Sequence, residues 1–140
     1  MKALIQGLYN LFMTVNTFRT AIGGRMFFGE APSNTAYPFA VLHLITDTPE
    51  RLLDDQLEDV LLQINIYSNK PESAQEVVEI YQKAIALFDD ATVTVAGYFC
   101  YYLHRGLSHL LRDPNTGDDE RGAWQYSIEY EALIRVQPGD

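Results

Sequence analysis

VLLQINIYSNKPESAQEVVEIYQKAIALF, residues 60–88, changes its hydrophobic period halfway along. Val60, Leu62, Ile64 and Ile66 alternate with Leu61, Gln63, Asn65 and Tyr67, the two-residue repeat of a half-buried strand. After Ser68 the period lengthens. Ala74, Val77, Val78, Tyr81, Ala84, Ile85 and Phe88 recur along one helical face, with Glu72, Glu76, Glu79 and Lys83 on the other. Two overlapping starts stand ahead of the helix, Asn69 with Glu72 and Ser73 with Glu76, each at capping-box spacing, and Pro71 suits a first helical turn. A strand feeding directly into a helix calls for two packed layers, since each element must bury its apolar face on another.

Upstream, Leu4, Leu8, Leu11, Phe12, Val15 and Phe18 form the stripe of one amphipathic helix, stopped by Gly23-Gly24. Arg25 to Gly29 reads as a short strand, and Glu30 to Asn34 as a loop. Tyr37-Pro38 then gives an extended entry into Phe39 to Thr46, a run apolar on both faces, as in a central strand. Between Asp47 and Asp59, Asp47, Glu50, Asp54, Asp55, Glu58 and Asp59 face only Arg51. With Thr48-Pro49 arguing against a continuous strand, the segment reads as an exposed acidic loop. It ends at the strand of residues 60–68, which should pair with its predecessor.

Downstream of Asp89-Asp90, Thr92 to Val95 is predicted to be a short strand and Ala96-Gly97 a turn. Tyr98 to Leu111 is the most aromatic stretch, with no polar face: Tyr98, Cys100 and Tyr102 alternate with Phe99, Tyr101 and Leu103. Asp113 to Glu120 is dense in turn formers and acid, and resembles a calcium loop only loosely. Beyond it, Trp124, Tyr126, Ile128, Tyr130, Ala132, Ile134 and Val136 alternate with more polar residues, which predicts an antiparallel hairpin with the aromatic strand. The expected fold is α+β, an antiparallel or mixed β-sheet with two α-helices packed on one face, as a single domain over residues 1–140. Two such helices cannot cover both faces of strands that are apolar on both, so a partner chain is expected over the remainder.

Ten basic against nineteen acidic residues leave a net charge of −9, which disfavours nucleic-acid binding and anionic membranes. The first 22 residues hold no clean apolar run and no small-residue cleavage site, and a cytosolic chain is expected. Cys100 is the single cysteine, which excludes an internal disulfide or a cysteine-rich zinc site. It reads as a small hydrophobe within a strand. His104 and His109, five positions apart on one strand, should face opposite sides unless a bulge intervenes. The sequence contains neither a G-x-S-x-G nor a nucleotide-binding glycine pattern, so no catalytic, cofactor or metal residues are assigned.

In their order, Gly24-Arg25-Met26-Phe27-Phe28-Gly29-Glu30-Ala31-Pro32, Tyr37-Pro38-Phe39-Ala40-Val41-Leu42, Gln63-Ile64-Asn65-Ile66-Tyr67-Ser68 and Ser73-Ala74-Gln75-Glu76 follow an amphipathic N-terminal helix. This arrangement resembles the tail completion proteins of long-tailed bacteriophages, also called tail terminators or tail-to-head joining proteins. The resemblance implies a structural virion protein, assembled in the host cytoplasm, that forms a ring, commonly a hexamer. Such a ring caps the tail tube, ends its elongation and joins the tail to the head. Its implied partners are further copies of itself, the tail tube protein and a head-tail connector, with DNA passing through unbound and no membrane involved. Aromatic side chains often dominate interfaces, which places subunit contacts on Phe27, Phe28, Tyr98, Tyr101, Trp124 and Tyr126. Asp47, Asp54, Asp55, Glu58 and Asp59 would either line the channel and repel DNA or steer docking to the tube or connector. Two other readings are a neck subunit nearer the head and a small-molecule-binding or hydrolytic domain with a pocket between helix and sheet.

Overall fold

Along the chain, α1 (Lys2–Phe12), α2 (Thr17–Ala21) and β1 (Met26–Phe28) are followed by β2 (Phe39–Leu52), β3 (Asp55–Ser68), α3 (Gln75–Phe88), β4 (Tyr98–Asp113) and β5 (Ala123–Val136). The computed structural model describes residues 1–53, 55–70, 73–113 and 123–136, with positions 52 and 113 described by backbone alone. The Asp113 to Glu120 turn and its loose calcium pattern therefore lie almost wholly outside the described residues, as does the Asn69-with-Glu72 helix start.

The predicted N-terminal helix is in fact two. Leu4, Leu8 and Phe12 are buried as the stripe requires, but α1 stops at Phe12. Asn16 causes the break. It adopts an extended backbone, its Oδ1 accepts from the Arg19 amide at 2.7 Å, and its Nδ2 donates to the Phe12 carbonyl at 3.0 Å, closing one helix while opening the next. Val15, placed on the apolar stripe by its spacing, falls in this turn and is 100% exposed. Among the described residues three helices, rather than two, therefore face the sheet.

The sheet order is β1-β2-β3-β5-β4, parallel between β1 and β2 and antiparallel elsewhere. Its inner face buries Ala40, Leu42, Val60, Leu62, Ile64, Ile66, Leu103, Ile128, Ala132 and Ile134 beneath the helices. The segment expected to be an acidic loop is instead a β-hairpin, with Asp47 opposite Val60, Thr48 opposite Asp59 and Pro49 opposite Glu58. Proline is admitted there because, among the described residues, β1 pairs only with Ala40–Leu42, so from His43 onward β2 is an edge strand with no ladder bond to lose on its open side. Thr92 to Val95 is not a strand. Val93 and Val95 are buried without a ladder, and the segment passes so close to α1 that a side chain at Gly7 would strike the Thr94 carbonyl.

α3 keeps its predicted face and adds Ile80, which is buried beside Val77, Ala84 and Phe88. Its capping pattern is split. Ser73 Oγ accepts from the Gln75 amide at 3.0 Å, whereas Glu76 accepts from the buried Ser68 hydroxyl at 2.7 Å and ties the helix to the end of β3. An edge-to-face aromatic chain then joins the helices to the sheet: Phe12 to Phe18 at 5.6 Å, Phe18 to Phe88 at 5.9 Å and Phe88 to Tyr130 at 6.1 Å. Tyr130 ends it by donating to Asp89 at 2.7 Å. Phe18→Ala should lower unfolding free energy by about 3–5 kcal/mol, since it hollows the centre of this chain. Asn16→Ala should cost only ~1 kcal/mol. Denaturant midpoints check both, and an unshifted midpoint for Phe18→Ala would contradict this packing.

Candidate assembly surface

The outer face of the sheet is not uniformly apolar, contrary to expectation. At its centre Asn65 and Ser127 are buried polar residues. Asn65 Oδ1 accepts from Ser127 Oγ and, at 3.1 Å, from Gln125 Nε2, while Asn65 Nδ2 donates to Gln63 at 3.1 Å. Toward β1 this seam gives way to ring contacts, Tyr37 tilted on Phe39 at 5.1 Å and Phe39 stacked on Tyr67 at 5.0 Å. Toward the β2–β3 hairpin it gives way to acids. Burial first, then Glu131 and Glu50, hold the Asp59 carboxyl above its ordinary range. Tyr102, which donates to Glu131 at 3.0 Å, is pushed up to about 12 by burial and by that carboxylate.

The acidic residues grouped by sequence divide between the two faces. Asp59 lies with Thr48 on the outer face, and Asp47 and Glu58 lie on the inner one. Asp55 is exposed near the hairpin tip, and Asp54 is outside the described residues. Asp47 and Glu58 line a cleft of about 620 Å³ with Gln6, Asn10, Thr94 and Tyr98, and the Met1 amino group stands 3.7 Å from Asp47. Among the described residues neither a thiol nor an imidazole lines it, so its chemistry is that of a carboxylate pair beside two amines, the Met1 amino group and Lys2.

The bulge between Arg105 and Ser108 brings His104 and His109 onto the same outer face, opposite Glu131 and Ser127 respectively. They make separate contacts: His104 stacks on Tyr102 at 4.0 Å and lies 3.9 Å from Asp90, and His109 Nδ1 is buried with no hydrogen-bond partner among the described residues. His43 sits on the outer face of β2, opposite Gln63. Among the described residues no three His, Cys, Asp or Glu side chains converge as a metal site. Cys100 is half-buried against the core, and burial pushes its thiol up, away from the reactive thiolate.

The six aromatic contact candidates do not form one patch. Phe27 and the exposed Phe28 sit at the β1 edge of the sheet, whereas Tyr98 and the exposed Tyr101 sit at the opposite, β4 edge. Trp124 and Tyr126 are engaged internally, Trp124 beneath the Arg112 guanidinium at 5.1 Å and Tyr126 stacked on Tyr81 at 3.9 Å. The apolar surface that sequence reasoning missed is aliphatic. Leu107, 64% exposed, stands in the second β4 bulge, flanked along the edge by exposed Phe99, Leu110 and Leu111. Its signal was present in Leu107, Leu110 and Leu111, three leucines in a strand with no polar face.

Burial first and Asp47 second hold Glu58 above the ordinary carboxylate range, so between the ordinary value and the raised one the folded chain retains a proton that the unfolded chain releases. That contribution is greatest below the ordinary glutamate pKa and is lost as pH rises through the raised one. Glu58→Gln, whose amide can donate to Asp47, should melt above the wild type near pH 7, with the gap closing toward about pH 4. Thermal melts across that range decide it; equal melting temperatures near pH 7 would show that the pair carries no strain.

Comparison with known proteins bears on the fold and the family. No curated protein sequence matches the chain. A chain in the solved structure titled "Virion of native gene transfer agent (GTA) particle" superposes with a TM-score of 0.78 at 9% identity, covering 96% of each chain. A second solved chain superposes with a TM-score of 0.55 at 12% identity, covering 100% of this chain and 98% of its own. At such identities these likenesses establish the fold. The sequence model of the tail completion protein gp17 family matches residues 6–135, nearly the whole chain, and the chain therefore belongs to that family of structural proteins of the phage tail.

Proposed function

We propose that this chain forms a closed ring of six copies at the head-proximal end of the tail tube. There it stops tube elongation and presents the surface to which the head joins. The observation that carries this reading is the β4 edge. Phe99, Tyr101, Leu107, Leu110 and Leu111 are exposed along one open edge of the sheet, on both of its faces, a surface that a solitary chain keeps in water only at a cost. Two bulges twist that edge away from simple strand addition, so side chains rather than a continued ladder make the contact. A rotated neighbour can cover it in every copy at once.

The role is structural and needs no catalysis. The tail tube protein and a head-tail connector are the partners above and below the ring. The overall charge of −9, concentrated on the β2–β3 hairpin, suits a passage through which DNA moves without adhering. Particles assembled without this protein should carry tails of irregular, excessive length and no attached heads. Leu107→Asp should weaken ring assembly by roughly tenfold or more while leaving the circular dichroism of the chain unchanged. Electron microscopy of the particles and sedimentation of the variant test the two outcomes. Normal tails joined to heads in the protein's absence would refute the role, and a label at the neck would assign the adjoining connector position instead.

A further inference from the structure

The β2–β3 hairpin outruns its neighbours. Among the described residues β1 stops opposite Leu42 and the last rung to β5 joins Leu57 to Arg135, so the ends of the two strands beyond pair there with each other alone. At the tip Leu53 has φ +52 and is 104% exposed. A leucine here is doubly unfavourable, because its Cβ crowds the left-handed backbone and its apolar side chain stands wholly in water. Asparagine or glycine would relieve both costs. Residues 47–59 carry six carboxylates against Arg51 alone, so the tip is an apolar knob on an acidic arm. The complementary surface is an apolar hollow bearing cations.

Elsewhere the chain has a hollow that offers a cation and one apolar side chain, Val15. About 340 Å³ opens between the α1–α2 turn and Gly23-Gly24, lined by Val15, Asn16, Arg19 and Thr20, with Val15 fully exposed. Arg19 donates to the Met13 carbonyl at 3.1 Å. Arg25 donates to the Pro38 and Tyr37 carbonyls at 3.1 and 3.3 Å and lies over Gly23, where a Cβ would come within 2.6 Å of its Nη1. Backbone carbonyls orient both guanidiniums without neutralising them, and neither meets a carboxylate among the described residues. In a chain with nineteen acids, that is a socket still owed its anion.

Knob and socket cannot meet within one molecule. α1 begins beside Asp47 and reaches Met26, through the Tyr9 hydroxyl, near its other end, so the hollow that follows α1 lies away from the hairpin tip. Resting on the ring reading above, we propose that Leu53 of each copy seats in the Val15–Arg19 hollow of the next, with Asp55 facing Arg19 and Arg25. Every copy then gives one knob and receives one, the head-to-tail contact that closes a ring when successive copies are rotated.

The test uses full-length chain in purified tail particles on a Cys100→Ser background. Leu53→Cys with Val15→Cys in the same chain should oxidise to a ladder of covalent multimers, while either cysteine alone gives none. Arg19→Glu should lower ladder yield by about two- to fivefold, and adding Asp55→Arg should restore it. Particles containing several copies but no ladder would overturn the contact and leave the ring reading intact. A single copy per particle would overturn both. Multimers that persist unchanged in Arg19→Glu would reject the charge match, and cross-linking of Leu53→Cys to tube or connector protein would reject a second copy as the occupant.

Discussion

The register of β3 is the constraint on which the rest of the structure depends. It is paired on both sides, to β2 and to β5, and its side chains alternate strictly, so slipping either ladder by one residue would exchange its faces. Val60, Leu62, Ile64 and Ile66 would turn to water, and Gln63 and Asn65 would enter the core. The Asn65, Ser127 and Gln125 hydrogen bonds hold the outer side in one alignment. The aromatic chain from Phe12 to Tyr130 requires the same alignment on the inner side. Polar satisfaction and apolar burial thus agree on a single register, which is what makes the arrangement specific.

From that register follows an uneven surface. The centre of the sheet is covered on one face by helices and on the other by its own polar seam, so a solitary chain can shelter most of what it presents there. The edges cannot be managed this way. Among the described residues β4 has no strand beyond it, and its bulges at Tyr101 and around Gly106–Leu107 turn apolar side chains outward where a regular strand would alternate them. On the far side β1 is three residues long, and the open flank of β2 beyond it carries proline and charge, features that discourage uncontrolled strand addition. The two edges therefore differ in character, one apolar and bulged, the other acidic and protruding.

Charge follows the same division. The hairpin gathers carboxylates on both of its faces, which is why Glu58 and Asp59, on opposite faces, are both held above their ordinary range by burial and by acidic neighbours. The arginines are dispersed. Arg105 is paired to Asp89 at 3.3 Å, whereas Arg19 and Arg25 are held by main-chain carbonyls. A structural protein of the phage tail assembles with other proteins, and separated patches of opposite sign favour one docking orientation over others.

Much of this was legible in residue order. The period of two through Val60–Tyr67 and Trp124–Val136, and the period near 3.6 through Ala74–Phe88, identified strands and helix because alternation is a local property of the backbone. The sequence also carried the family resemblance. It did not show that Asn16 would cap a second helix, that Thr92–Val95 would be buried without pairing, or that Pro49 would be accepted in a strand. Each depends on what lies alongside: an open flank of β2 for Pro49, the Thr94 carbonyl against Gly7 of α1, an Arg19 amide within reach of a side chain. The assembly surface was the least legible part. Exposure belongs to the folded arrangement rather than to the residue, so Leu53, Val15 and Leu107 read as ordinary apolar residues in the chain and only tertiary structure left them in water.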